Sequence, residues 1–375
     1  MRTVPFYRHT LDDGDFEAVR GVLKSVFLTA GPKTAEFERA LSGVLGVPHV
    51  LGVANCTVAL FLALKALDVK PGDEVITTPM TFIATANVIL HTGATPVFVD
   101  VDPASGNLDV ERVAAAITPR TRAVIPVHLY GAMVDMVRLK AICEPRGVHI
   151  IEDAAHAVEA ERGGVRPGQL SDAACFSFYA TKNLTSGEGG AIAVTSEELK
   201  TRLSWLRLHG MSKSAADRYT GRYEHWDMVG LGYKANMFDI QAALLLSQLP
   251  RLRAQLARRE QIAQRYEKGF AGASQIRIPQ VPADAVSARH LFTIWVPPAQ
   301  RDSLLWGLQA RGIGVAVNYR AIHLLTYYRE QFGFKRGDFP VAEQIGDSTV
   351  TLPLYPGLSD DDIDYVIDTV IDLVG

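Results

Sequence analysis

The chain has 375 residues, of which 48% are hydrophobic and 21% are charged, as in an ordinary water-soluble enzyme. This length exceeds what one hydrophobic core comfortably serves, so two domains are expected. The net charge of −3 leaves no basic footprint, and nucleic-acid binding therefore has no support in the composition.

From about residue 34 to residue 195, short β-rich runs alternate with stretches of helical spacing. The predicted strands are 50–53, 74–77, 96–99, 123–127 and 148–152. The predicted helices are 36–45, 56–67, 82–90 and 135–145, the first of which stops at Gly46. Alternation of this kind predicts an α/β fold, with a mainly parallel sheet covered by helices.

The rest of the chain predicts a smaller α+β unit. A long helical stretch begins near Phe238, and its apolar positions include Leu252, Leu256, Ala263 and Tyr266. Prolines in segment 278–282 end it, and the next predicted elements are strand 290–296, helix 303–310, strand 314–317 and a last helix capped by Ser359 and Asp362. We predict a large domain over residues 1–250, including an N-terminal arm, and a small domain over residues 251–375.

Neither the cysteines nor the N-terminus predicts export or a membrane. Cys56, Cys143 and Cys175 form no metal-binding spacing and are expected to be reduced thiols. The first eight residues have no apolar signal core, and no run of about 18 apolar residues occurs. A soluble, cytoplasmic protein without a bound metal is expected.

Lys182 lies in segment 176–190, where it is predicted to end an apolar, aromatic-rich strand and to be followed by a Gly-rich turn. Partial desolvation there disfavours the ammonium, and a neutral amine is the form that condenses with an aldehyde. About thirty residues upstream, the buried-looking strand 150–152 is followed by Asp153. The pair suits pyridoxal phosphate, because an aspartate holds the pyridine nitrogen and a lysine carries the aldehyde. Taken alone, Lys182 also reads as a surface lysine.

Four more residues fit the other parts of this cofactor. Thr57 begins a helix after the first strand and offers both a backbone N–H and a hydroxyl to a phosphate, and Ser177 offers a second hydroxyl. Phe82 offers a ring for stacking, and His156 lies within reach of the ring hydroxyl or the carboxylate. Each residue also has an ordinary structural alternative. Thr57 could simply cap its helix, and Ser177 could be a core serine. Phe82 could pack in the core, and His156 could make a structural hydrogen bond.

As a set, these residues resemble the DegT/DnrJ/EryC1/StrS family of sugar aminotransferases, which are fold-type I pyridoxal-phosphate enzymes. The resemblance covers nearly the whole chain and is carried by segments 29–32, 36–38, 71–76, 93–100, 117–121, 126–131, 152–156, 188–190, 208–210, 232–237 and 241–243. It implies a large domain like that of aspartate aminotransferase, with a mainly parallel sheet of the seven-stranded type. It also implies pyridoxal 5'-phosphate as the cofactor.

The resemblance implies catalytic roles for Lys182, Asp153 and His156. Lys182 carries the cofactor and moves protons, Asp153 pairs with the pyridine nitrogen, and His156 lies near the ring oxygen. Phe82 is implied to stack on the ring.

The resemblance also implies a phosphate site and a homodimer. Thr57 and Ser177 contact the phosphate, and Cys56 in the same turn is counted among the cofactor-binding residues. In the family, the asparagine that corresponds to Asn236 reaches the phosphate of the neighbouring subunit, which implies two shared active sites. The family's Ser-Gly-Thr or Ser-Ser-Ala turn is replaced here by residues 55–57. The glycine that follows segment 152–158 in the family is replaced here by Glu159.

Within the family, the chain is most similar to enzymes that aminate C4 of a nucleotide-linked 4-keto sugar, such as the 4-amino-arabinose type. This implies L-glutamate as the amino donor and amino-sugar biosynthesis for a cell-surface polysaccharide. The candidate substrate residues are Thr29, Tyr319, Arg320 and His323. Amination at C3 remains an alternative, and the members that act there more often have Asp-Gly-Gly where this chain has 188–190.

Two other classes of function fit the sequence less well. A dehydratase or regulatory paralogue shares the fold, but dehydrating relatives replace the lysine with histidine, whereas this chain has Lys182. A nucleotide-binding dehydrogenase needs a GxGxxG turn after the first strand, and segment 53–57 does not supply one.

Overall fold

The computed structural model describes residues 2–213 and 225–375, and a seven-stranded sheet forms the centre of the larger part. Its strands are β1 (His49–Val53), β2 (Glu74–Thr77), β3 (Thr95–Phe98), β4 (Thr121–Val124), β5 (His149–Asp153), β7 (Ala173–Ser177) and β8 (Gly190–Val194). Outside this sheet, the short β6 (Glu161–Arg162) pairs with β9 (Ala285–Val286). The strand order is β1-β8-β7-β5-β4-β2-β3.

Only β8 runs against its neighbours in this sheet; every other pairing is parallel. The predicted mainly parallel α/β fold is therefore confirmed. Consecutive residues of one strand belong to different apolar clusters, Ile150 to one and Ile151 to the other. Because successive side chains of a strand point to opposite faces, both faces of the sheet are buried.

Eight helices are described in this part of the chain. They are α1 (Asp13–Leu23), α2 (Pro32–Leu45), α3 (Cys56–Ala66), α4 (Ile83–His91), α5 (Val110–Ala116), α6 (Met136–Cys143), α7 (Glu197–Leu206) and α8 (Asp239–Gln248). The ends of α2 show why the sequence folds this way. Pro32 occupies its first turn, and Gly46 ends it in the left-handed conformation at φ 68°, which glycine adopts without strain.

The C-terminal part has its own apolar core. Its elements are α9 (Leu252–Phe270), β10 (Phe292–Trp295), α10 (Pro298–Ala310), α11 (Thr326–Phe332), α12 (Pro340–Ser348), β11 (Thr349–Leu352) and α13 (Asp360–Val374). The strands β10 and β11 are antiparallel. Near the other end of the chain, Val4 is buried in this same core and forms a bridge with Ile313. The N-terminal arm is thereby fixed to the C-terminal part.

Two sequence predictions in this region were wrong. Residues 314–317 form no strand; Gly314 donates instead to the carbonyl of Val4, and Ala316 alone bridges Thr351. The long helix expected from Phe238 is two helices, because the 3-10 turn Leu249–Arg251 contains a proline and separates α8 from α9. The predicted domain boundary at residue 250 falls in this turn and stays a prediction.

The cap of the last helix follows the sequence pattern. The Ser359 side chain accepts a hydrogen bond from the Asp362 backbone N–H at the start of α13.

Cys56, Cys143 and Cys175 are all buried and free. Among residues 2–213 and 225–375, no helix is both long enough and apolar enough to cross a membrane.

Candidate active site

A cavity of about 570 Å³ opens at the carboxyl ends of β1, β5 and β7. These three strands point the same way, so the loops that follow them meet at one edge of the sheet, where α/β folds bind ligands. The predicted site residues that line the cavity are Cys56, Thr57, Phe82, Asp153, His156, Ser177, Lys182 and Tyr319. Residues far apart in the sequence are thereby brought to one wall.

Lys182 lies in the turn after β7 rather than at the end of the strand itself, which stops at Ser177. Its backbone N–H donates to Tyr179, and its carbonyl accepts from the Tyr7 hydroxyl at 3.4 Å. Burial lowers the pKa of the Lys182 amine from 10.5 to about 8, and the Asp153 carboxylate acts in the opposite direction. The desolvation expected from the sequence is therefore present in the structure.

Asp153 ends β5 with both carboxylate oxygens engaged. Thr85 donates its hydroxyl to Oδ2 at 2.8 Å, and the Ala155 N–H lies 3.2 Å from Oδ1. Burial raises the pKa of the Asp153 carboxyl, and the hydrogen bond from Thr85 opposes that shift. A cationic partner in the cavity would favour the carboxylate form.

His156 has one satisfied ring nitrogen and one without a partner. Its Nε2 lies 3.1 Å from the Tyr319 hydroxyl, and the two rings stack with centroids 6.1 Å apart. Its Nδ1 is buried and has no hydrogen-bond partner among the described residues. Burial, and next the charge of Lys182, hold the pKa of His156 well below its usual range, so the ring is neutral.

The N-terminus of α3 forms another part of the wall. The side chain of Asn55 caps this helix by accepting from the Val58 N–H at 2.9 Å. The first-turn N–H groups of a helix lack carbonyl partners within the helix, and here they belong to the turn that contains Cys56 and Thr57. Burial raises the pKa of the Cys56 thiol well above its usual range, so the thiol stays protonated.

Glycine at position 190 allows this turn to approach β8. A Cβ on Gly190 would lie 2.5 Å from the backbone carbon of Asn55, too close for any side chain. The segment 188–190 carries part of the family resemblance. Its last residue therefore has a steric reason to be glycine.

Four predicted residues lie outside the cavity wall. Thr29 and Arg320 are exposed. Asn236 is 3% exposed, and its amide nitrogen lies near Thr29 and the Met237 carbonyl. His323 is fully buried, with Nε2 3.0 Å from Glu343. A buried ring paired in this way offers no face to a sugar in the cavity, so the structure does not support the expected substrate contact of His323.

The cavity also contains residues that were not predicted. His290 and Asn318 come from the C-terminal part of the chain, Phe6 comes from the N-terminal arm, and Thr85 holds Asp153 from α4. Thr85 lies in the predicted helix 82–90, three residues after Phe82, so its nearness to a candidate site residue was visible in the sequence. The sequence around His290 carried none, because its proximity to Lys182 depends on tertiary packing.

Known protein families, curated proteins and solved structures include relatives of this chain. The model of the DegT/DnrJ/EryC1/StrS aminotransferase family matches residues 9–371. This chain belongs to that family. It is a pyridoxal-phosphate-dependent aminotransferase of the sugar aminotransferase group, as the resemblance implied.

Individual relatives agree with this assignment. The spore coat polysaccharide biosynthesis protein SpsC of Bacillus subtilis is 44% identical over 99% of this chain and 97% of its own length. Spr1654 of Streptococcus pneumoniae, in its PMP form, superposes with a TM-score of 0.94 and 34% identity over 99% of each chain. PseC of Helicobacter pylori, an aminotransferase in pseudoaminic acid biosynthesis, has a TM-score of 0.92, with 28% identity over 100% of this chain and 99% of PseC.

The residues present fit pyridoxal phosphate. The cavity offers an amine with a lowered pKa, a buried carboxylate and a helix N-terminus with the Thr57 hydroxyl. The unpartnered Nδ1 of His156 is a polar atom that a bound polar ring would satisfy. The Phe82 side chain lies at the cavity with 55% of its surface exposed, as a stacking ring requires.

Proposed function

We propose that the chain transfers the amino group of L-glutamate to C4 of a nucleotide-linked keto sugar, in amino-sugar biosynthesis for a cell-surface polysaccharide. The observation that carries this proposal is the Lys182 amine, with its lowered pKa, in one cavity with the Asp153 carboxylate. The spore coat polysaccharide function of the Bacillus subtilis relative supports the polysaccharide theme.

In this proposal each side chain has a defined task. Lys182 would give and take the proton at Nζ, and Asp153 would accept a hydrogen bond from the protonated pyridine nitrogen. His156 would contact the ring oxygen, and Phe82 would stack on the ring. When bound, pyridoxal phosphate supplies the aldehyde that takes up the amino group and the ring that stores electrons.

The phosphate of the cofactor would be held by Thr57 and Ser177. Thr57 and Cys56 belong to the first turn of α3, whose N–H groups and positive dipole end favour an anion. Because the Cys56 thiol stays protonated, it adds no negative charge beside the phosphate. Asn236 would contribute from the partner subunit.

Charge at the cavity supports a homodimer with shared sites. Lys182 is the only cationic side chain among the described residues that line the cavity, and the cofactor takes it up. A nucleotide diphosphate and the carboxylates of glutamate also need cationic or N–H donors. We infer that groups outside the described cavity wall supply them, and in the proposed homodimer the partner subunit contributes to them.

Amination at C4 rests on the resemblance and on two positions in the wall. Tyr319, from the segment similar to the C4 enzymes, reaches the cavity. Glu188, where C3 enzymes more often have aspartate, also lines it, so this position faces the substrate space.

An assay of keto sugar nucleotides tests this proposal. The purified protein is incubated with L-glutamate and a panel of UDP-, GDP- and dTDP-linked 3-keto and 4-keto sugars, and NMR locates the new amine. We expect an amine at C4 together with 2-oxoglutarate, and neither product with Lys182→Ala. An amine at C3 would contradict the regiochemistry, and reaction without 2-oxoglutarate would contradict the donor.

A further inference from the structure

A chain of hydrogen bonds connects Lys182 with a buried carboxylate. Lys182 Nζ lies 3.4 Å from His290 Nε2, and His290 Nδ1 lies 3.3 Å from Asn183 Oδ1. Asn183 Nδ2 donates to Glu159 Oε2 and to the Ala288 carbonyl, both at 2.8 Å. The proposed function gives no task to His290, Asn183 or Glu159.

The hydrogen-bonding capacity of these groups fixes which nitrogen of His290 carries the proton. A carboxylate and a backbone carbonyl only accept hydrogen bonds, so both must face the NH₂ group of Asn183. The amide oxygen of Asn183 is then left facing His290 Nδ1, and it requires a donor there. His290 Nδ1 therefore carries the proton, and the lone pair of Nε2 faces the Lys182 amine.

Glu159 is also the ion-pair partner of a buried arginine, Arg259. The Arg259 guanidinium donates to Glu159 Oε1 and also to the Ala288 carbonyl. The two side chains are only 2% and 7% exposed, and a buried guanidinium needs such a partner, which fixes the orientation of the Glu159 carboxylate. Glu159 replaces the glycine of the family pattern, so this carboxylate is a feature of the present sequence.

The surroundings of His290 keep its ring neutral. His290 is 5% exposed, and burial is the main reason why its pKa lies well below the usual range. Lys182, the His156 ring at 4.6 Å and the Arg259 guanidinium lower the pKa further. A neutral ring with its proton on Nδ1 can only accept a hydrogen bond at Nε2.

We propose that His290, held in this tautomer by Asn183 and Glu159, is a positioning residue that accepts a hydrogen bond from the Lys182 amine. One N–H of the amine is thereby tied to Nε2, and the Nζ lone pair is directed away from His290 into the cavity. The value of this arrangement rests on the role proposed for Lys182. The hydrogen bond itself exists without cofactor or substrate, and it can be measured there.

Nitrogen-15 NMR of histidine-labelled, cofactor-free protein reads the tautomer, because protonated and unprotonated ring nitrogens have well-separated shifts. His290→Phe identifies the His290 signals among those of 10 histidines. Near neutral pH we expect the proton on Nδ1 in the wild-type chain. Asn183→Leu removes the amide acceptor and should mix the two tautomers. A wild-type proton on Nε2 would overturn the assignment.

Reductive methylation of the cofactor-free protein tests the contact with Lys182. Formaldehyde and cyanoborohydride methylate the neutral amine, and peptide mass spectrometry follows Lys182 across pH. His290→Phe keeps the site buried but removes an acceptor that favours the Lys182 ammonium. The pH midpoint of Lys182 methylation should therefore fall by roughly one unit or more. If His290→Phe only loosened the packing and admitted water, the pH midpoint of methylation would rise instead.

The matched control is His149→Phe, which changes a histidine at the start of β5 and should leave the midpoint unchanged. A midpoint that stays or rises in His290→Phe contradicts the proposal. Both readouts are independent of turnover, so a failed keto-sugar assay would refute the proposed reaction without changing either result.

Discussion

The Lys182 amine gives the proposed site a measurable pH dependence, because burial lowers its pKa from 10.5 to about 8. Below that pH the amine holds a proton and cannot attack an aldehyde, whereas above it the neutral form predominates. We predict that cofactor-free protein captures pyridoxal phosphate faster as pH rises, with a midpoint near 8. Stopped-flow absorbance of the bound cofactor measures the rate.

Borohydride reduction and peptide mapping identify the lysine involved. The cofactor should be found on Lys182, and Lys182→Ala should retain none covalently. Lys140→Ala changes a half-exposed lysine outside the cavity and should capture the cofactor at the wild-type rate. Label on another lysine, or a midpoint near the ordinary value of 10.5, would refute the assignment.

Asp153 is expected to act through its charge. Asp153→Asn should fold normally, since an amide fits the same space beside Thr85, but it cannot stabilise a pyridinium proton. A charge-assisted hydrogen bond is worth about 1.5–3 kcal/mol, so turnover should fall by roughly 100-fold or more once the electronic effect is added. Steady-state kinetics at saturating cofactor measure this loss.

The control for that variant is Asp172→Asn, which alters a carboxylate beside His149, at the start of β5. It should leave turnover near the wild-type value. Near-wild-type turnover in Asp153→Asn would instead assign the Asp153 carboxylate a structural role.

At the scale of single elements, the cap of α3 is predicted to serve both stability and cofactor binding. Asn55→Ala removes the hydrogen bond to Val58 and should cost about 1 kcal/mol of unfolding free energy. Ser196→Ala removes the matching cap of α7, whose bond to Leu199 lies away from the cavity, and should cost about as much.

Cofactor retention distinguishes these two caps. Equilibrium dialysis should show weaker pyridoxal phosphate retention for Asn55→Ala, because the first turn of α3 is expected to hold the phosphate. Ser196→Ala should retain the cofactor like the wild-type chain. Equal cofactor retention in both variants would show that the cap of α3 does not contribute to phosphate binding.

The ion pair between Glu159 and Arg259 joins the loop after β5 to α9. Glu159→Ala should lower the unfolding free energy by roughly 3–5 kcal/mol, because it leaves a buried guanidinium unpaired. Asp364→Ala breaks the exposed pair with Arg265 and should cost less than about 1 kcal/mol. Urea unfolding measures both, and equal losses would contradict this ranking.

At the scale of the whole molecule, the prediction is a homodimer in which Asn236 serves the partner's site. Asn236 lies outside its own chain's cavity wall, and that wall lacks cationic groups for a nucleotide diphosphate among the described residues. Asn236→Ala should weaken cofactor retention and leave the reactivity of Lys182 intact. Light scattering should show a dimer, and a fully active monomer would refute the arrangement.

Co-expression of Asn236→Ala with Lys182→Ala tests the sharing of sites. If Asn236 acts across the interface, the mixed dimer has one intact site and one doubly damaged site, and part of the activity returns. If Asn236 acts within its own subunit, each site of the mixed dimer has one defect and no activity returns. Each homodimer measured alone is the control.

The sequence alone determined the family, the α/β class and the residues that meet in the cavity from the large part of the chain. It did so because the relevant signals are local. Strands alternate with helices, and Asp153 and Ser177 end parallel strands whose carboxyl ends share one edge of the sheet. The same local reasoning placed Thr57 at a helix start.

Tertiary structure alone decided the residues that reach this edge from elsewhere. His290 is brought against Lys182 over a sequence separation of 108 residues. The strand that pairs with β10 is β11, not the predicted strand 314–317. Residues 312 and 314 instead form backbone hydrogen bonds with the N-terminal arm. His323, expected near the substrate, is buried against Glu343. The physical reason is that long-range packing has no periodicity in the sequence, so neither spacing nor composition signals which distant side chains will meet.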